Sequence, residues 1–177
     1  MVPVFTALAR ALDRFYQVCG LISAALLVTL TLLILASIVS RIAGVYLGGV
    51  SEFAGYAMAA GAFFGMPYAF RSGGHIRVSL LISNLSGRAR WAFELWARGV
   101  IAAATAYLAF YLCRLVYYSY IYGDISEGGD AIALWIPQVP MAVGAVCFAV
   151  STLDSFIRAI VEGEYSLTAP EAEGGRE

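Results

Sequence analysis

The sequence contains no lysine and a single histidine, His75. Charged residues make up only 13% of it, against about a quarter in soluble domains. With a net charge of −1 the chain carries no global basic field, so nucleic acid is not among the expected partners. The three cysteines, Cys19, Cys113 and Cys147, sit apart, each inside an apolar segment, with no CxxC or Cys/His spacing. They read as small apolar filler, and neither a disulfide framework nor a metal site is expected. A Ser/His/Asp set, HExxH, a phosphate loop and GxSxG are all missing. One histidine and few carboxylates leave little to do chemistry with. No catalytic residue, metal or cofactor is expected, and the chain does not read as an enzyme.

What is present is apolar. Such residues form 61% of the 177, and mean hydropathy is +0.80. A water-soluble fold of this size cannot hide so much apolar surface, which makes the lipid bilayer the natural solvent. Residues 15–40 run without a charge, and as a helix they would be about 39 Å long, enough to cross with some tilt. Their 14 Leu, Ile, Val and Phe residues favour insertion by roughly 4–8 kcal/mol. The run is too long for the apolar core of a signal peptide, about 7–15 residues, so a retained first span is expected.

A second span is expected over 53–70, rich in Gly and Ala. Ala57, Gly61 and Gly65 recur every four positions and share one helix face, which permits close approach by another helix, from this bundle or from a partner. A third is placed at 99–120. It holds Arg114, which near a span end can snorkel to the interface. Tyr111, Tyr117, Tyr118, Tyr120 and Tyr122 form an aromatic belt at that end, and Trp91 and Trp96 mark the other. The fourth, at 132–157, opens on "WIPQVPMAVG" with Pro137 and Pro140, which belong in or before a first helical turn. Near its far end Asp154 can pair with Arg158, four residues on.

Arginine placement sets the direction. Arg10 and Arg14 precede the first span; Arg71, Arg77, Arg88 and Arg90 lie between the second and third; Arg158 follows the fourth. The opposite side has Arg41 and an acidic loop holding Asp124, Glu127 and Asp130. The positive-inside rule therefore puts both termini and the central loop in the cytoplasm. Glu52, at the head of the second span, has Arg41 as an expected salt-bridge partner. The reading is an all-α integral membrane domain over 1–161, with a polar tail over 162–177 that is expected to be disordered.

The stretch "GMPYAFRSGGHIRVSLL", Gly65 to Leu81, raises a question of its own. Gly73 and Gly74 break the second helix. Residues 75–85 then resume a helical pattern with Ile76, Leu80, Leu81 and Leu85 on one face, too short to span and suited to an amphipathic helix in the inner interface. His75 opens that helix between Arg71 and Arg77. A haem ligand would need a second histidine, and a proton relay a nearby carboxylate. Capping, a hinge, or contact with a larger subunit are the ordinary alternatives.

The block "SEFAGYAMAAGAFFGMPYAFRSGGHIRVSLL", Ser51 to Leu81, resembles the small permease subunit of TRAP transporters, the DctQ-like family. Glu52, the small-residue helix, Gly65, Arg71, the glycine before His75 and the His-Ile-Arg-Val run carry the likeness. "WIPQVPMAVG" resembles the family's Trp/Pro entry to its last span. The resemblance implies four spans plus an interfacial helix, in the bacterial inner membrane. It implies a much larger permease subunit (DctM-like) that carries the transport path and sodium sites, and a periplasmic solute-binding protein (DctP-like) that delivers a solute, often an organic acid. Glu52, Ala57, Gly61, Gly65, Arg71 and His75 are then the candidates for packing on the large subunit. Asp124, Glu127, Asp130 and Trp135 are the candidates for docking the binding protein. A membrane anchor of a redox complex, and a stand-alone channel or exporter, are the alternative readings.

Overall fold

A computed structural model of the chain describes residues 2–45, 48–72, 87–126 and 131–168. Among them are the helices α1 (Val2–Ile42), α2 (Val50–Arg71), α3 (Gly87–Tyr122) and α4 (Trp135–Thr168). The expected interfacial helix at 75–85, with His75, lies outside the described residues, as do Glu127 and Asp130.

Three helices contain stretches long and apolar enough to cross a membrane: Ala11–Ile42 in α1, Trp91–Tyr122 in α3 and Trp135–Val161 in α4. The 22 residues of α2 would reach about 33 Å, but its Gly and Ala content, Tyr56, Tyr68 and Pro67 leave it less apolar than the others. Every helix is also longer than the span expected within it, except that α4 begins at Trp135 rather than 132. A hydrogen-bonded helix need not stop where the hydrocarbon does, because polar residues sustain it in water. Residues 131–134 are held outside α4 by an antiparallel bridge between Ile125 and Ala133, next to Ala131 at φ 45°. Pro137 falls in the first turn of α4, while Pro140 falls one turn further in. At the other end α4 runs on to Thr168, seven residues into the segment expected to be a tail. Pro170, two positions beyond, is the next residue that cannot continue a helix.

Glycines set two of the helix ends. Gly44 adopts φ 71° after α1, with the Val45 amide donating to the Ser40 carbonyl and the Gly44 amide to that of Arg41. Gly123 does the same after α3 at φ 66°, with the Asp124 amide on the Ser119 carbonyl. Both bury the last carbonyls in a left-handed cap that L side chains disfavour.

The helices alternate in direction and lie in the order α1, α2, α4, α3, with α1 touching α4 only sparsely. The α1–α2 pair is antiparallel: Arg71 meets Asp13 and Gly61 meets Ser23. The α3–α4 pair is antiparallel too, with Gly99 against Phe156 and Thr105 against Thr152. The central pair, α2 and α4, cross where Gly144 meets Phe63 and Phe64. A Cβ on Gly144 would stand 2.8 Å from Phe63 Cβ and 3.0 Å from the Phe64 backbone nitrogen. One cluster of the core, Cys19, Phe64 and Cys147 with Leu26, joins α1, α2 and α4. The second, Ala109, Ala145 and Ala149 with Phe63 and Leu112, joins α2, α4 and α3. This order makes α2 and α4 the inner helices: 44% of the apolar window of α4 is buried, against 11% for α1 and 17% for α3.

Candidate functional site

No grouping of three or more His, Cys, Asp or Glu residues occurs among the described residues. What the fold offers instead is contact surfaces, built at two ends and two seams of the bundle.

At one end stand the heads of α2 and α4. Ser126 Oγ donates to Glu52 Oε2 at 2.5 Å, and the Tyr56 hydroxyl approaches Ser126 Oγ at 3.4 Å. Ser126 belongs to a short hairpin: its amide donates to the Ile132 carbonyl at 2.8 Å, and the Leu134 amide to that of Asp124 at 2.9 Å. The expected Glu52–Arg41 ion pair is not formed among the described residues. Glu52 occupies the first turn of α2, where a carboxylate faces free amides, and its side chain ties that helix to a loop seventy-four positions on. Arg41 instead lines an open apolar groove of about 520 Å³ between the ends of α1 and α2, with Ile38, Val50 and Ala54. Asp124 is exposed beside the hairpin, and Trp135 packs edge-on against Tyr120 with ring centroids 5.6 Å apart. So Glu52, Asp124 and Trp135 gather at one end, while Arg71 lies at the other, paired with Asp13 at 2.9 Å.

The α1–α2 seam holds the small-residue face of α2. Ser23 Oγ donates to the Gly61 carbonyl at 2.7 Å, and a Cβ on Gly65 would meet Ser23 Oγ at 2.8 Å. A Cβ on Gly61 would touch Leu26 at 3.4 Å. The face of Gly61 and Gly65 is therefore packed against α1 of the same chain. Ala57 is buried too, lining with Leu26, Pro137 and Pro140 a groove where α1, α2 and α4 meet. Sequence alone shows that such a face can take a neighbour; it does not say which neighbour comes first.

The α3–α4 seam holds a pair that sequence reading missed. Thr105 and Thr152 share a buried hydrogen bond at 2.7 Å, while each hydroxyl also reaches a carbonyl of its own helix. A signal existed: Ala102, Thr105 and Ala109 recur at helical spacing, as do Ala145, Ala149 and Thr152, so each threonine lies on a small-residue stripe. Near the Arg71 end, the hydroxyls of Tyr16 and Ser151 are buried without a well-formed hydrogen bond. Asp154 and Arg158 are paired at 3.0 Å as their spacing implies, and Arg98 and Glu94 at 3.6 Å.

On α3 the tyrosines expected to form the belt, Tyr111, Tyr117, Tyr118, Tyr120 and Tyr122, are all exposed. Arg114 lies 5.2 Å from the Tyr118 ring centroid and 5.8 Å from that of Tyr111, and one guanidinium nitrogen approaches the Tyr118 hydroxyl at 3.4 Å.

The family whose model matches the chain is described as tripartite ATP-independent periplasmic transporters, DctQ component, and the match covers residues 30–162, three quarters of the 177. The chain belongs to the DctQ family. The match begins inside α1 and ends inside α4, so it takes in the α3–α4 seam, the α2 side of the α1–α2 seam and the Glu52 end of this DctQ component. No curated protein and no solved structure matches the chain. The family is a transporter component and not an enzyme family, and with three apolar helices of spanning length this DctQ protein is a multi-pass membrane protein.

Proposed function

We propose that the chain is the small membrane subunit of a TRAP transporter in the bacterial inner membrane, crossing four times with both termini in the cytoplasm. It scaffolds a large permease subunit and presents a dock to a periplasmic solute-binding protein during sodium-coupled uptake of an organic acid. The observation that carries the reading is the DctQ match over residues 30–162. The fourth crossing rests on α2, which packs between α1 and α4 and is long enough to span though less apolar. The cytoplasmic termini rest on the arginine distribution. The dock rests on the end that carries Glu52, Asp124 and Trp135, where hydrogen bonds hold the hairpin onto the head of α2. In this reading Asp124, Glu127, Asp130 and Trp135 dock the binding protein, and Arg71 and His75 contact the large subunit. Nothing favours the redox-anchor alternative.

The test is uptake in proteoliposomes under an inward sodium gradient. With large subunit and loaded binding protein present, adding this chain restores uptake. Equal uptake with and without it overturns the reading.

A further inference from the structure

Resting on the small-subunit reading above, we propose that the outward face of α3, not that of α1, is covered by the large subunit, through a spanning helix that carries a carboxylate at the depth of Arg114. The two outer helices expose different chemistry. On α1 most of the large exposed side chains are aliphatic, among them Leu21, Val28, Leu32, Leu35 and Val39. Lipid chains satisfy such a face. On α3 the face opposite Thr105 and Ala109 carries Tyr107, Tyr111, Arg114, Tyr118 and Tyr122, all exposed. Their rings form a continuous ladder: Tyr107 on Tyr111 at 4.5 Å, Arg114 between Tyr111 and Tyr118, and Tyr118 stacked on Tyr122 at 5.8 Å.

The ladder is too deep to be an interfacial belt alone. From Tyr107 to Tyr122 is about 22 Å along the helix. Tyr107 lies eight residues from Gly99 and thirteen from Tyr120, so if the bilayer covers 99–120 its hydroxyl stands about 12 Å and 20 Å from the two boundaries. At that depth a lipid offers only methylene groups, so the Tyr107 hydroxyl depends on protein partners, of which Tyr111 is one. A cation inside a span is ordinarily found facing protein or paired with an anion. Arg114 spends one guanidinium donor on the Tyr118 hydroxyl and otherwise faces two rings, which leaves its remaining donors free for a carboxylate. Charge complementarity thus favours a protein helix over lipid.

Photocrosslinking in membranes that hold this chain and its large subunit tests the inference. A benzoylphenylalanine replaces Tyr107, Tyr111 or, as the α1 control, Leu32. Expected is a product with the mass of the large subunit from positions 107 and 111, at a yield at least tenfold above position 32. A product at 32 with none at 107 or 111, phospholipid adducts at 107 and 111, or no product anywhere from an intact complex would each overturn it. For the charge, Arg114→Glu lowers co-purified large subunit at least tenfold while Arg114→Lys retains it; equal recovery with both removes the carboxylate. If the unaltered chain does not co-purify with the large subunit at all, the parent reading fails. If it does, and the crosslinks form elsewhere, only this inference fails.

Discussion

Single side chains in this protein do most of their work by being small or by reaching across a seam. Gly144 is the sharpest case, because its Cα–H faces backbone of α2 and not a flexible side-chain tip. Backbone cannot step aside, so Gly144→Ala forces α2 and α4 apart and costs about 1–3 kcal/mol by overpacking. Gly55 makes the control: it lies in the same bundle with nothing within 4 Å of its would-be Cβ, and Gly55→Ala gains up to about 1 kcal/mol of helix propensity. Thermal unfolding in mild detergent, followed by circular dichroism, should show the first variant melting lower and the second at or above the parent. Matching melting points for the two would refute the tight crossing. The motif "WIPQVPMAVG" points to Gly144 as part of a helix entry, but the need for glycine there comes from Phe63 and Phe64, eighty residues earlier. No local pattern carries that information. The same holds for Glu52: sequence proximity favours Arg41, and the fold chooses Ser126.

At the scale of elements, the helices were legible and their neighbours were not. Charge-free length marks α1, the i,i+4 spacing marks the Asp154–Arg158 pair, and tyrosines cluster at one end of α3. Each of these is a property of one helix. Seams are properties of two, and the Ser23–Gly61 and Thr105–Thr152 contacts appear only once the order α1, α2, α4, α3 is known. The hairpin between α3 and α4 follows the same logic. Among the described residues two backbone hydrogen bonds close it, and the Ser126 bond to Glu52 anchors it to α2. A hydrogen bond to a charged group is worth about 1.5–3 kcal/mol, and about 1.4 kcal/mol is a factor of ten in an opening equilibrium. Glu52→Ala should therefore speed hydrogen exchange at the Ser126 and Leu134 amides tenfold or more while leaving amides in the middle of α4 unchanged. Unaltered exchange at the two loop amides would mean that the hairpin holds itself.

For the whole molecule the decisive question is which way the bundle sits and whether α2 crosses. Two features bear on direction independently. Arginine is concentrated at the end where Arg71 meets Asp13 and Arg158 meets Asp154, and the other end carries Glu52, Asp124 and the Tyr120–Trp135 pair. Alternation of four helices then puts the start of α1 and the end of α4 together. Length and apolarity speak for α1, α3 and α4 but not by themselves for α2. The proposed crossing of α2 is supported by packing: it runs antiparallel to α1 from Glu52 to Arg71 and is joined to it at both Gly61 and Asp13. Cysteines placed at its two ends test this directly. In a Cys113→Ala background, with Cys19 and Cys147 buried, Ser51→Cys and Asp124→Cys should react with a membrane-impermeant maleimide in intact cells whose outer membrane is opened. Ser72→Cys should react only after the inner membrane is permeabilised. Labelling of Ser51→Cys and Ser72→Cys from the same side would make α2 a surface helix and leave an odd number of crossings. Labelling of Ser72→Cys alone from outside would invert the bundle and move the acidic hairpin to the cytoplasm, out of reach of any periplasmic partner.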